Sequence, residues 1–311
     1  MNLFENFLKG SHIPCYGISS VWGGPTLKES DSLRDPDGHG WHLDRMVFDS
    51  WLRDEAVHHG AVLLAPARAR QIERNARGWL VTIDASEGFL SLEADLLIDA
   101  GGSSAPLASF FGARRGQSDK LVCGWVLGSA QPLGRWAGMT HIEAAEEGWW
   151  YSAPVPGARR VLAFHTDGDL PSCHLTRDYK SLLTATRATG GLSEILRDVA
   201  FVPLDRRGIV AASRGRLEPC SGPGWLSVGD AALSLDPLAG QGLLNALFTG
   251  LAGALAAEKF LSGAPHAFKE YQQVVADVWS VYRSRWKECY AAEPRWPNSA
   301  FWNRRHKTPP D

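Results

Sequence analysis

Apolar residues recur along this chain in two rhythms that alternate. After Asp44, an N-cap residue type, Phe48, Trp51, Leu52 and Ala56 fall at helical spacing, and Gly60 supplies a stop. Residues 61–64 predict a short apolar strand, and 68–74 with 78–84 predict a hairpin around the turn 75–77. Leu96-Leu97-Ile98 runs through Asp99 into Gly101-Gly102-Ser103-Ser104, the pattern of a buried parallel-type strand entering a tight turn. A second such strand, 225–228, ends in Gly229-Asp230, and helical patterns follow over 240–261 and from Pro265 to about Cys289. Between these, 121–127, 149–154 and 161–165 predict strands of an antiparallel sheet, with helices over 176–189 and 192–199. Residues 1–40 predict irregular chain with one short helix at 3–8. The tail 296–311, with Pro297, Pro309 and Pro310, also predicts irregular chain.

The interleaving predicts an α/β protein: a cofactor-type layer, an antiparallel sheet inserted into it, and a helical C-terminus. The expected boundaries are 41–115 with 205–262 for the first layer, 1–40 with 116–204 for the inserted domain, and 263–311 for the C-terminal segment. At 311 residues the chain can bury a sizeable core. Its net charge of −2 and lack of a basic run argue against nucleic acid as a partner. The longest apolar run, 243–257, falls short of the roughly 20 residues of a membrane span, and the first residues lack a basic-then-apolar leader. Five widely spaced cysteines without C-x-x-C predict reduced thiols in a cytoplasmic protein. Thirteen tryptophans imply a wide aromatic core or a pocket for a large flat group.

The candidate chemistry sits in GWLSVGDAALSLDPLAGQGLLNAL, residues 224–247. A carboxylate at a strand end, Asp230, can accept hydrogen bonds from the hydroxyls of a sugar chain. Pro237 stiffens the turn that follows. Gly240 and Gly242, either side of Gln241, let backbone N–H groups approach a planar ring closely. The helix that starts there aims its positive end at the ring and stabilises negative charge on it. Together these features suit a flavin dinucleotide held by its ribityl chain and ring; the alternative is an ordinary strand–loop–helix with glycines for tight turns. His58 and His59 are adjacent and diverge on a helix, so no metal role is expected. His39 and His42 either line the site or are structural. For each of Trp149 and Trp150, core packing is the expectation over pocket lining. No G-x-S-x-G, P-loop or H-E-x-x-H occurs.

The same stretch resembles the second FAD motif of the flavin-dependent monooxygenase and halogenase superfamily. Residues 42–61 resemble the family's segment leading to the adenine side, with Arg45 at its characteristic arginine, and 95–107 resemble its strand ending near the cofactor. The tail Glu293, Arg295-Trp296-Pro297, Ser299, Phe301-Trp302, Arg304-Arg305 resembles that of bacterial members related to tryptophan halogenases, some of which mature tryptophan-derived quinones. The resemblance implies a hydroxylase-type FAD-binding fold and an FAD-dependent monooxygenase, with NAD(P)H or a flavin reductase as electron source. The implied substrate is an aromatic, indole-like small molecule or a protein-bound tryptophan. Arg45 would lie on the ribose–phosphate side, Asp230 at the ribityl chain, and Pro237, Gly240, Gln241 and Gly242 at the isoalloxazine edge. No side chain receives a catalytic role.

Two departures qualify this expectation. Members of the family begin with a strand–G-x-G-x-x-G–helix unit, and no G-x-G-x-x-G occurs in the chain, so the fold is expected to be incomplete at the N-terminus. Tryptophan halogenases carry a lysine in K-x-G-I-x-F-x-x-W, and that position falls on Cys15 in Cys15-Tyr16-Gly17-Ile18, with Lys9 and Lys28 outside the pattern. Hydroxylation is therefore favoured over halogenation. A truncated, non-catalytic paralogue that binds a partner protein is the other alternative.

Overall fold

The computed structural model describes residues 3–307 except 33–35, 37, 118 and 265. Pro265, Pro309 and Pro310 thus lie outside the described residues. The chain forms two compact units, one of residues 1–59, 120–211 and 287–311, the other of residues 60–119 and 212–286.

The first unit is built on a sheet that holds seven strands among the described residues. Their order is Val202–Ala211, Leu121–Ser129, Arg159–Asp167, Gly148–Val155, Met139–Ala145, Gly17–Val21 and Lys28–Asp31. All neighbours are antiparallel except Met139–Ala145 and Gly17–Val21, which run parallel. The expected strands 121–127, 149–154 and 161–165 are its centre. Alternation sends Trp150, Val126, Leu162 and Phe164 to one face, against Leu182, Leu192 and Leu196 of the helices Tyr179–Ala185 and Gly191–Asp198. Trp149, on the other face, stacks on His165 at 3.6 Å and donates to the Tyr290 hydroxyl. Both tryptophans are core, as the sequence suggested.

Two expectations fail in this unit. Residues 1–40 are not irregular: besides the helix Phe4–Leu8 they contain Ile13–Cys15, Gly17–Val21 and Lys28–Asp31. The last is an exposed edge strand of four polar residues, which carries no alternation to read. The tail is not irregular either. Ala300–His306 is a helix whose Phe301, Trp302 and Arg305 are buried. Arg305 pairs with buried Asp167 at 2.8 Å, Trp302 donates to the Ala145 carbonyl, and buried Glu293 accepts the Gly23 N–H at 2.8 Å.

The second unit carries a three-stranded antiparallel sheet of Ala67–Arg74, Trp79–Ala85 and Gly88–Ala94, with the expected turn closed by Asn75 Oδ1 accepting the Arg77 and Gly78 N–H groups. Strand β1 (Leu97–Asp99) pairs in parallel with β2 (Trp225–Ser227). Helix α1 (Gly242–Leu261) packs on β2, and it comes so close at Gly253 that a Cβ there would meet Val228 Cγ1 at 2.6 Å. Helix α2 (Ala267–Ala291), in this unit as far as Trp286, holds β2 through Tyr271, whose hydroxyl donates to the Ser227 carbonyl at 2.6 Å. The expected strand 61–64 does not form. No strand among the described residues pairs with it, and Val62 is 85% exposed. An apolar run without a partner ladder cannot hold extended pairing.

Candidate functional site

The C-terminal ends of parallel strands are where ligands bind in open α/β sheets. In this chain both strand ends are shaped by buried bonds. At the end of β1, Asp99, 2% exposed, accepts the Gly101 N–H at 2.9 Å and the Leu107 N–H at 2.9 Å. These bonds fold the glycine turn back on itself. At the end of β2, the Val228 N–H continues the ladder to the Asp99 carbonyl at 2.8 Å. Gly229 then turns at φ +58°, a conformation a side chain would strain, and opens the short 3-10 helix Gly229–Ala231.

That turn lies against α1. The Gly229 N–H donates to Thr249 Oγ1 at 2.9 Å. Arg115 braces it from the other side, donating to the Gly215, Asp230 and Ala231 carbonyls at 2.6–2.9 Å. Burial lowers the Arg115 pKa while the Asp230 and Asp99 charges raise it.

After buried Leu233-Ser234-Leu235-Asp236 the chain re-emerges at Pro237. Asp236 caps the 3-10 turn Pro237–Ala239, accepting the Leu238 N–H at 2.9 Å, and Gly240 turns at φ +64°. Helix α1 then begins at Gly242 with no side-chain cap on its first turn. A Cβ on Gly240 or Gly242 would meet nothing within 4 Å. The result is a helix N-terminus without a side-chain cap, with one side-chain-free position just before it and one at its first residue.

Five of the six expected site residues lie in this unit: Asp230, Pro237, Gly240 and Gly242 exposed, Gln241 half-buried. Arg45 belongs to the first unit, where it starts the helix Arg45–His58 and pairs with Asp49 at 3.1 Å. Sequence reasoning missed Arg115 and Thr249. Arg114-Arg115 reads as an ordinary solvated pair, and Thr249 as a polar break in an apolar helix. Asp99 lay within the turn motif, but its capping role was not foreseen.

Other candidate groups lie in the first unit. His42 is buried with Nε2 2.9 Å from Thr140 Oγ1, and His39 is exposed. Ser19 Oγ lies 2.9 Å from His141 Nδ1, and His141 Nε2 lies 3.2 Å from Glu143, a hydroxyl–imidazole–carboxylate order. All three are buried at 4% exposure or less. Burial would raise the Glu143 pKa, but His141 and the Leu192 and Gly190 N–H groups hold it below the usual range. Glu143 accepts N–H groups from Gly190, Gly191 and Leu192 and so caps the helix Gly191–Asp198. Cys15 ends a strand, its Sγ 3.6 Å from the Gly17 carbonyl. Lys9 bonds Asn6, and Lys28 bonds the Trp22 carbonyl.

The strand-end carboxylate, the open glycine turn and the uncapped helix start fit the ribityl and ring end of FAD. The class that these features and the relatives support is a flavoprotein of the hydroxylase and halogenase type. The chain belongs to the tryptophan halogenase family, whose sequence profile matches residues 4–311. It is 27% identical over 303 residues to a putative FAD-dependent oxidoreductase, LodB, of Marinomonas mediterranea, covering 94% of this chain and 78% of that protein. Its fold is similar to that of CmlS, a flavin-dependent halogenase, with a TM-score of 0.85 and 21% identity over the whole of this chain and 58% of that one. It is also similar to QhpG, a peptidyl tryptophan dihydroxylase essential for tryptophylquinone cofactor biogenesis, with a TM-score of 0.74 and 24% identity over 97% of this chain and 67% of that one. The expected class, an enzyme that works with FAD, stands with these relatives. Among the described residues no helix is long and apolar enough to cross a membrane.

Proposed function

We propose that the chain is an FAD-dependent oxidoreductase of monooxygenase type whose substrate is an indole ring, that of a tryptophan within a partner polypeptide. The observation that carries this reading is the Gly229-Asp230 turn bonded to α1 at Thr249, together with the uncapped start of that helix. Asp230 accepts hydrogen bonds from the ribityl hydroxyls. Pro237, Gly240, Gln241 and Gly242 border the isoalloxazine edge, and the α1 amides stabilise negative charge there. Bound FAD, reduced by NAD(P)H or by a flavin reductase, supplies the oxygen-activating chemistry. The protein's part is to hold the cofactor, orient the indole and exclude water.

The likeness to LodB over 94% of the chain supports an FAD-dependent oxidoreductase, and the peptidyl substrate in the QhpG name supports the polypeptide-bound tryptophan. The likeness to CmlS supports a second reading, halogenation, and Cys15 at the family's lysine position weighs against it. One assay separates them. The chain is given FAD, a flavin reductase, NADH, isotopically labelled dioxygen, bromide, a tryptophan-containing peptide and free indole, and products are read by mass spectrometry. Labelled oxygen on the indole supports hydroxylation. Bromine on the indole replaces it with the second reading. An unmodified peptide alongside oxidised free indole removes the polypeptide substrate.

A further inference from the structure

Asp236 is the residue that fixes where the glycine turn begins, and it is held on three sides. It is 1% exposed, although it directly precedes exposed Pro237. Its Oδ2 accepts the Trp286 indole N–H at 3.0 Å, and its Oδ1 accepts the Leu238 N–H at 2.9 Å. Its own N–H donates to the Tyr282 hydroxyl at 3.0 Å. Trp286 and Tyr282 are one helical turn apart on α2, and both are buried to 2% or less.

The indole is fixed in turn. The Arg214 guanidinium lies over its ring at 3.7 Å, and Arg214, 2% exposed, faces Asp119 at 3.4 Å. A buried carboxylate that accepts two N–H groups from two different elements cannot shift without leaving donors unpaired. The turn Pro237–Gly240 is thereby tied to α2, an element that itself carries no flavin-type motif.

Resting on the flavin reading above, we propose that Asp236, Trp286 and Tyr282 form a latch that positions the Pro237–Gly242 turn and the start of α1 against the flavin ring. They are positioning residues: all three are buried, and they act through the turn. The latch holds the amides of α1 at a fixed distance from the ring edge where charge grows on reduction. Loosening it weakens the hold on reduced flavin more than on oxidised flavin.

The test uses Trp286→Phe and Tyr282→Phe, which each remove one hydrogen-bonding group and leave an aromatic ring, a smaller one at 286. Three quantities are read on the full chain: hydrogen exchange of the 238–242 amides, FAD affinity by titration, and the midpoint potential of the bound flavin. The latch predicts faster exchange confined to the turn, about tenfold weaker FAD binding, and a potential lower by about 30 mV, the equivalent of a tenfold change for a two-electron couple. A change confined to overall stability, with unchanged potential, would reduce the three residues to packing and overturn the positioning role. Unchanged exchange over 238–242 in both variants would overturn the latch itself, whatever the flavin does. If the unaltered chain takes up no FAD, the flavin reading falls and the positioning role falls with it, while the exchange data still report whether the tie exists.

Discussion

The backbone N–H of Gly229 donates to Thr249 Oγ1 at 2.9 Å, joining the turn at the end of β2 to the middle of α1. The same hydroxyl donates to the Asn245 carbonyl at 2.6 Å, so one fully buried threonine serves both elements. Replacing it with valine keeps the volume and leaves a half-buried amide unpaired. Thr249→Val is expected to cost about 1–3 kcal/mol of stability in chemical denaturation. A variant as stable as the parent would mean that the turn finds another partner.

Glycines 250 and 253 lie one turn apart on α1 and make opposite predictions. A Cβ at Gly250 meets nothing within 4 Å, so Gly250→Ala should stabilise by about 0.5–1 kcal/mol through helix propensity. A Cβ at Gly253 would meet Val228 at 2.6 Å and Leu226 at 2.8 Å. Gly253→Ala should therefore destabilise by about 1–3 kcal/mol as the helix is pushed off β2. Thermal melts of the two variants decide it; the same sign for both would contradict the close packing of α1 on β2.

Acid should weaken the first unit. Burial pushes His165 down to about 3, and burial, then the nearby Arg160 charge, pushes His42 down to about 4. The unfolded chain binds these protons near the usual histidine value of about 6.5, and the folded chain does not. Stability is therefore full above that value and declines as pH falls from there toward 4 and then 3. The slope is up to about 1.4 kcal/mol per pH unit for each group. Urea midpoints measured across this window should fall steadily. His165→Phe, which keeps a ring against Trp149, should flatten the profile, and an unchanged slope would show that His165 is not held neutral.

Much of this architecture was legible because burial leaves a record in side-chain type. The two runs ending in Asp99-Ala100-Gly101 and Gly229-Asp230 marked parallel strands, and 42–60 marked a capped helix, with Asp44 Oδ1 accepting the Met46 N–H as expected. The strand Lys28–Asp31 was hidden because an exposed edge needs no apolar face. The helix Ala300–His306 was hidden because its seven residues are held by long-range contacts, Arg305 to Asp167 and Trp302 to Ala145, which no local pattern encodes. At the site, the exposed glycines and Asp230 could be read from the sequence. The residues that brace them, Arg115, Thr249, Tyr282 and Trp286, could not, since a bracing role depends on which distant backbone atoms the fold brings near.

The turn at Asp230 and the start of α1 are the proposed seat of a flavin ring. The most direct measurement is titration of the purified chain with FAD, followed by the visible flavin band and its fluorescence, in parallel with Asp230→Ala. A carboxylate that accepts ribityl hydroxyls predicts saturable binding by the parent and binding weakened about tenfold or more in the variant. Equal affinity in the two would contradict the assignment of Asp230, and no uptake by either would contradict the flavin seat.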